Sequence, residues 1–516
     1  MARRHPSPWS FLAALPLLAA ACGSQQQDQL GIIDPPNPGS GGEGSTGACT
    51  DCNEKGGPEG SGYTEEESTG NASQAAPTAN GLADGCADMS SLARRVETNL
   101  SGDKSFASPA LTRALLSQDI APLPAHVRTQ DFLNYYPPDF AKPVGTSAPS
   151  GVSDVPELMV ELAPHSKASK LDPAAQYDLL VAVRAPVLPP PSAPEVMVVL
   201  DTTPSVGEAG LERGKHAAST LIGKLPADAK IVLKTSDPAL DARANGLEER
   251  EQLLADLTQV SLLGGERSFS ETLEAATAEA DQHARVFLVT DGEDDPTQLD
   301  ASALAARTEK GMVVHSIAIG APLAHGDRYF RALAWVGRGY YLYVDSDQEA
   351  ESLLTAHLPG MLSSALQDVR VELLLPWYFK VVRDGSEQSL DFTQTKPQNI
   401  GPGATATYLF RLEVCDGNLP YTTPDVVKVA LRYNADNGES VALPADLSLD
   451  ALLAPNANPQ LPRTLAIRDY AEALKTLDSQ RLAEAKQRLD QVGATFPDPA
   501  LTQLSSLLEH HPLLGQ

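Results

Sequence analysis

Between residues 195 and 358 the chain alternates two hydrophobic patterns. Continuous apolar runs, "EVMVVLD", "AKIVLKTSD", "RVFLVTD", "MVVHSIAIG" and "YYLYVD", are separated by segments with helical spacing. Those segments are "LERGKHAASTLIGKL", "LEEREQLLADL", "SETLEAATAEADQH", "ASALAARTEKG" and "DRYFRALAWVG". A strand that is apolar at every position is buried on both faces, so the pattern predicts a parallel sheet covered by helices on each side. The flanks read differently. "ELMVELAP" and "YDLLVAVRAP" precede the proline-rich hinge "VLPPPSAP", and "DVRVELLLPWYFKVV", "ATATYLFRLEV" and "DVVKVALRY" follow the α/β region, separated by Gly, Pro and Asn turns. Their shared character predicts one β-sandwich-like domain assembled from both flanks, with a Rossmann-like α/β domain inserted into it.

Two further stretches carry helical spacing. "LTRALLSQDI" precedes "HVRTQDFLNYYPPDF", whose aromatic residues end in a Pro-Pro stop. Near the C-terminus, Ile467, Tyr470, Ala471, Leu474 and Leu477, then Leu482, Ala485, Leu489 and Val492, repeat at helical intervals. This predicts a helical pair, which is too few units for a repeat array.

Composition changes the picture mainly at the N-terminus. "MARRHPSPW" supplies two arginines, "SFLAALPLLAAA" a short apolar core, and small residues lead to Cys22. The core is shorter than the roughly 20 residues of a spanning helix, so it reads as an export signal. "LLAAAC" resembles a bacterial lipoprotein signal, cleaved before a cysteine that then takes a lipid; Ala19 stands where that pattern prefers Leu. The segment that follows, rich in Gly, Ser and acids, lacks the apolar residues to fold and reads as a disordered tether.

The expected organisation is a signal peptide at 1–21, a lipid-anchored linker at 22–85 and a first β-rich part at 86–190. The α/β domain follows at 191–360, the second β-rich part at 361–455 and a helical tail at 456–516.

The 516 residues suggest about three units. The formal net charge of −28 repels nucleic acid and anionic lipid, which excludes both as partners of the folded domains. Of the five cysteines, Cys22 is the lipidation candidate. "CTDC" at 49–52 lies in structureless sequence and has no second pair to complete a zinc site. Cys86 and Cys415 are candidates for a disulfide, a pairing the sequence does not decide.

The chemistry concentrates at strand ends, where open parallel sheets bind ligands. Asp201 and Asp291 each follow an apolar strand, and facing carboxylates need a cation, a proton or a basic side chain between them. Taken alone, Ser205 reads as a helix cap, Asp291 as a turn opener with Gly292, and "GEDD" as a solvated acidic loop. His315 reads as core, and "PWYF" at 376–379 as sandwich packing.

"DTTPS", "GGERSFSETL" and "TDGE" occur in the order and spacing of the von Willebrand factor type A domain, which residues 195–358 resemble. The flanks "VRTQDFLNYY" and "SALQDVRVELLL" are similar to those of bacterial exported proteins, often lipoproteins, with a central domain of this type. The resemblance implies a metal-ion-dependent adhesion site: D-x-S-x-S after the first strand, a Thr after "GG" and the Asp of "TDG" hold Mg²⁺. Hard oxygen donors suit that ion, and one position stays open for a partner's acidic side chain.

Asp201, Ser205 and Asp291 match, and Thr203 keeps a hydroxyl in place of the first Ser. The departure is Arg267 at the Thr position. A guanidinium cannot coordinate metal, but it offers a permanent positive charge to the two carboxylates. A shift of one residue lets Ser268 serve instead. The site is thus a degenerate one, with Mg²⁺ or another divalent cation and the arginine both open as its counter-charge.

These features imply a non-enzymatic protein–protein interaction or adhesion module, lipid-anchored to a membrane of the bacterial cell envelope, inner or outer, with its domains outside the cytoplasm. One rival is a structural subunit of an envelope complex that docks through the helical tail. A Mg²⁺-dependent phosphohydrolase of the D-x-D-x-T kind is the other, and Thr203 in place of its second Asp removes the general acid/base. No H-E-x-x-H, G-x-S-x-G or P-loop motif is present.

Overall fold

Local pattern becomes regular structure over most of the residues that the computed structural model describes. It describes residues 93–99, 104–140, 155–165, 176–262, 268–293, 301–322, 326–376, 378–384, 398–414, 425–435, 438–454 and 460–514. The signal segment, the tether, Cys22, Cys86, Arg267 and Cys415 lie outside the described residues.

The first flank contains β1 (Ala93–Asn99), β2 (Lys104–Ser105), α1 (Ala107–Leu116), α2 (Thr129–Tyr135), β3 (Glu157–Pro164) and β4 (Gln176–Arg184). The α/β region opens with β5 (Glu195–Leu200), α3 (Gly207–Lys224), β6 (Lys230–Thr235), β7 (Ala242–Ala244), α4 (Leu247–Gln259) and α5 (Phe269–Glu279). It continues with β8 (Arg285–Thr290), α6 (Ala301–Thr308), β9 (Val313–Ala318), α7 (Asp327–Gly337), β10 (Arg338–Tyr343) and α8 (Asp347–Leu362). The second flank has β11 (Leu366–Pro376), β12 (Phe379–Asp384), β13 (Gln398–Ile400), β14 (Thr405–Val414), β15 (Val426–Asn434), β16 (Ser440–Ser448) and α9 (Leu449–Leu452). Last come α10 (Leu461–Leu474), α11 (Ser479–Thr495) and α12 (Pro499–Glu509).

The central sheet has the order β2-β10-β9-β8-β5-β6-β7. All its pairings are parallel except β6 with β7. Side chains alternate across it, as the twofold period of a strand requires. Val196, Val198 and Leu200 pack with Leu211, Leu221, Leu253 and Leu354 on one face. Met197 and Val199 pack with Leu273, Leu304, Phe330 and Leu333 on the other. This is the α/β fold of the von Willebrand factor type A kind that the motifs imply. Helix α8 belongs to it as well, although its mixed surface escaped the periodicity.

Residues 104–116 do not join the β-rich flank where the sequence boundaries put them. Strand β2 pairs with β10, the Phe106 N–H donates to the Tyr341 carbonyl at 2.9 Å, and Ala110, Leu111 and Leu115 of α1 enter the α/β core. Two residues of strand are too few to show an alternation.

The remaining strands form two antiparallel sheets, β1-β11-β15-β16 with β13 also on β11, and β12-β14-β4-β3. Strands from before and after the α/β region pair directly: β4 with β14 from Gln176↔Glu413 to Arg184↔Thr405, and β1 with β11. The two sheets share one core, with Leu179, Val181, Phe410 and Leu412 from one and Val371, Leu373, Val427 and Val429 from the other. Tyr378 and Phe379 of the "PWYF" segment are buried in that core.

The tail is three helices rather than a pair, and α10 is internal. Leu461 and Leu465 cover the outer face of β4 and β14 against Leu180, Ala182 and Leu409. Ile467, Tyr470 and Leu474 pack with Leu116 and Phe132 of the first flank. Leu477, expected in the apolar stripe, lies beyond the end of α10 and is 79% exposed. Among the described residues no helix is long and apolar enough to cross a membrane.

Candidate functional site

The chain leaves β5 toward β6 and β7 on one side, then returns to β8, β9 and β10 on the other. The order therefore reverses between β5 and β8, the position at whose carboxyl ends open parallel sheets bind ligands. Asp201 follows β5 and Asp291 follows β8. Both are buried, while Ser205 is exposed and Thr203 half-buried.

Three oxygens run in a row outward from the sheet. The Thr203 hydroxyl donates to Asp201 Oδ1 at 2.7 Å and lies 2.9 Å from the Ser205 hydroxyl; the Thr203 N–H donates to the same Oδ1 at 2.9 Å. The other carboxylate oxygen, Oδ2, accepts from Thr290 Oγ1 at 2.5 Å, and Thr290 Oγ1 in turn accepts from the Gly292 N–H at 3.1 Å. Thr290 thus ties the two strand ends together. A Thr before "DG" carries no sequence signal beyond that of an ordinary strand end.

Ser205 does not cap a helix. Val206 is the residue preceding α3, neither α3 nor the short 3-10 turn at Pro204–Val206 has a side-chain cap, and the Ser205 hydroxyl turns to Thr203. Ser268 is the residue that caps: its hydroxyl accepts from the Glu271 N–H, and Glu271 accepts from the Ser268 N–H, a reciprocal capping box at the start of α5. The structure thus brings Asp201, Thr203 and Ser205 into one hydrogen-bonded row and gives Ser268 a helix-capping role. His315 is core, its ring bonded to the Tyr340 N–H and the Met361 carbonyl.

The turn that carries Asp291 has little freedom. Gly292 takes a φ of +76°, and a Cβ there would lie 2.6 Å from the Phe330 ring. Asp291 Oδ1 accepts from the Glu293 N–H at 3.1 Å. On its far side, a Cβ on Gly320 would come within 3.0 Å of the Asp291 Cβ. A side chain at Gly292 would be strained by the positive φ and would collide with Phe330, and one at Gly320 would press on Asp291.

Burial pushes the Asp201 carboxyl up to about 6; the charge of Asp291 adds to this, and the hydrogen bonds from Thr290 and Thr203 oppose it. Negative charge therefore gathers where the two carboxyls approach each other. Two carboxylates and two hydroxyls are hard oxygen donors, a set suited to Mg²⁺. Asp201, Thr203, Ser205 and Asp291 would hold the ion, which would supply a coordination position for an acidic group. Among the described residues no group of three or more His, Cys, Asp or Glu side chains is placed to hold a metal.

A carboxyl raised above its unfolded value costs stability once it ionises, so the cost is absent below about pH 4 and complete above about pH 6. Asp201→Asn is therefore expected to stabilise the metal-free protein at pH 8 by on the order of 3 kcal/mol, with the gain fading as the pH falls through 6 toward 4. Urea midpoints at the three pH values check this. A variant less stable than the wild type at pH 8 would show that the lost hydrogen bonds outweigh the relieved charge.

No protein-family profile matches the chain. It is similar to the uncharacterized protein YfbK of Escherichia coli strain K12, 23% identical over 332 residues, covering 60% of this chain and 57% of that protein. The match thus spans little more than half of the relative's length. Among solved structures it is similar to a von Willebrand factor type A protein from Catenulispora acidiphila, with a TM-score of 0.43, 14% identity, and coverage of 70% of this chain and 97% of that one. It is also similar to the ArnB paralog VWA2 from Sulfolobus acidocaldarius, with a TM-score of 0.36, 11% identity, and coverage of 69% and 99%. The fold itself is given by the strand order and pairings above.

Proposed function

We propose that the protein is a non-enzymatic interaction module of the bacterial cell envelope, held to a membrane through a lipid on Cys22 and binding a protein partner at the strand-end site. The observation that carries this reading is the row of oxygen donors Asp201, Thr203 and Ser205, open to solvent at its outer end, beside Asp291 at the point where strand order reverses. A divalent cation held there would take an acidic side chain of the partner. Phosphohydrolase chemistry is disfavoured by the same geometry. The position where such enzymes place a second carboxylate holds Thr203, whose hydroxyl donates to Asp201 and so supplies no general base. Docking through the tail is disfavoured by the burial of α10, which leaves only outer surfaces of α11 and α12 for a partner.

Affinity capture from a cross-linked envelope fraction tests the reading with three forms of the full chain. The intact protein is expected to retain a partner that Asp201→Ala loses, and Cys22→Ser is expected to leave the membrane fraction. A partner held equally by Asp201→Ala would move binding away from the strand ends, and a Cys22→Ser protein that stays with membranes would remove the anchor. Mg²⁺ calorimetry on the wild type and Arg267→Thr identifies the counter-charge. Binding that strengthens in the variant assigns it to the arginine, and binding that is tight and equal in both assigns it to the cation.

A further inference from the structure

The turn that carries Asp291 rests on α7, and α7 is held by a residue from outside the α/β region. Arg128, just before α2, donates through Nη1 to both oxygens of Asp327, the first residue of α7, at 2.9 and 2.8 Å. The same guanidinium reaches back to Asp131, with Nη2 to Oδ2 at 2.8 Å, and to the Ser105 hydroxyl at 3.0 Å. The three charged residues are 6%, 3% and 7% exposed, so water screens them little.

Aromatic rings carry the arrangement inward. The Arg128 guanidinium lies 5.7 Å from the centroid of the Tyr341 ring, Tyr341 donates to Asp327 Oδ1 at 3.1 Å, and Phe330 stacks on Tyr341 at 5.4 Å. Phe330 is the ring on which Gly292 sits, and a Cβ on Gly326, one residue before α7, would lie 2.9 Å from the Gly292 carbonyl oxygen. With the backbone at Gly326 and the Phe330 ring packed this closely on Gly292, a shift of α7 presses on the turn that carries Asp291.

On its other side α2 is fixed to the base. Thr129 bonds to Glu472 and Lys475 on and just after α10, and Gln130 donates to the Thr407 carbonyl in β14 at 3.0 Å.

We propose that α7 is a shared element through which the flank and tail set the geometry of the strand-end site, with Arg128 and Asp327 as positioning residues. Binding at the base then alters the Asp291 turn, and by thermodynamic linkage occupancy of the site alters the hold on the base. The proposal rests on the strand ends being the binding site, but its mechanical part does not need a ligand.

Hydrogen exchange on the full chain tests it with Asp327→Asn, which weakens the arm to α7 while leaving the Arg128–Asp131 pair, and with Arg128→Lys, which keeps the charge but loses the fork. Amides at 291–293 and 327–331 are expected to exchange about tenfold faster in both variants, while those of β15, in the far sheet, stay unchanged. Unchanged exchange at 291–293 in both variants overturns the proposal, and so does a uniform rise across the chain, which marks general destabilisation. Mg²⁺ calorimetry on the wild type separates the two readings. Faster exchange at 291–293 with no Mg²⁺ binding sustains the coupling and counts against the cation reading of the site.

Discussion

Deleting residues 456–516 is expected to unfold the β-rich flank and α2, rather than to release a docking arm from an intact body. Helix α10 is buried around most of its circumference because it fills the space between the β4–β14 face and helices α1 and α2. Leu461, Leu465, Ile467, Tyr470 and Leu474 all lose water there. At roughly 2 kcal/mol for each buried side chain they contribute about 10 kcal/mol, as much as the whole stability of a typical domain. Polar anchors fix the same helix. Glu161 on β3 accepts from the Leu461 N–H at 2.6 Å, and Arg463 Nη1 donates to the Tyr136 and Pro137 carbonyls at 2.9 Å. Circular dichroism and soluble yield of the truncated chain check the prediction. A truncated protein with the wild-type melting temperature would return the tail to the status of an independent arm. The tail-docking rival is better probed at Leu477 and Phe496, which are exposed and whose replacement leaves the core intact.

The second large effect is expected at Asp178. Its carboxylate, on β4, is completely buried. Oδ1 accepts from Arg411 at 3.1 and 3.2 Å and from Arg468 on α10 at 3.3 Å, and Oδ2 lies 2.7 Å from His165 Nδ1. Burial alone would raise this carboxyl, but the His165 hydrogen bond and the two guanidinium groups outweigh it and hold it below the usual carboxylate value. Asp178→Ala removes the carboxylate that Arg411 and Arg468 share, while Arg468 keeps Asp469 at 2.7 and 2.9 Å, so the loss is expected at the lower end for a broken buried pair, about 3 kcal/mol. A depressed carboxyl stabilises the fold above its unfolded value near pH 4, and that contribution disappears as the pH falls through the folded value. The wild type should therefore lose stability below about pH 4 more steeply than Asp178→Ala. Urea unfolding of both proteins at pH 7 and pH 3.5 reads both effects. Equal midpoints at pH 7 would mean that the surrounding arginines turn outward to water at little cost.

The central fold was legible because its signals are local. Strands β5, β6, β8, β9 and β10 are buried on both faces by helices packed directly on them, so each reads as an apolar run without knowledge of its neighbours. The site was legible for the same reason: Asp201 and Asp291 are each recognisable from the strand that ends just before them. Hydrogen-bond partners were less so. Ser205 followed by a helix carries the composition of a cap, and only the path of the chain through the Pro204–Val206 turn aims its hydroxyl at Thr203 instead.

What the sequence by itself determined is the type of most of the longer segments, though not of short β2 or of α8 and α12, where carboxylates meet strand ends, and that the two flanks are alike. The tertiary structure alone decided what each apolar face packs against. Backbone ladders such as β4 with β14 use the same N–H and C=O groups at every residue, so their pairing across more than 200 residues leaves no mark on the side chains. Periodicity reports that α10 is buried but not that β4 and α2 bury it. Arg128 carries no sequence sign of its partner, Asp327, which lies 199 residues away and meets it only in the folded chain. Buried ion pairs of this kind depend on desolvation and geometry that exist only once the chain has closed around them.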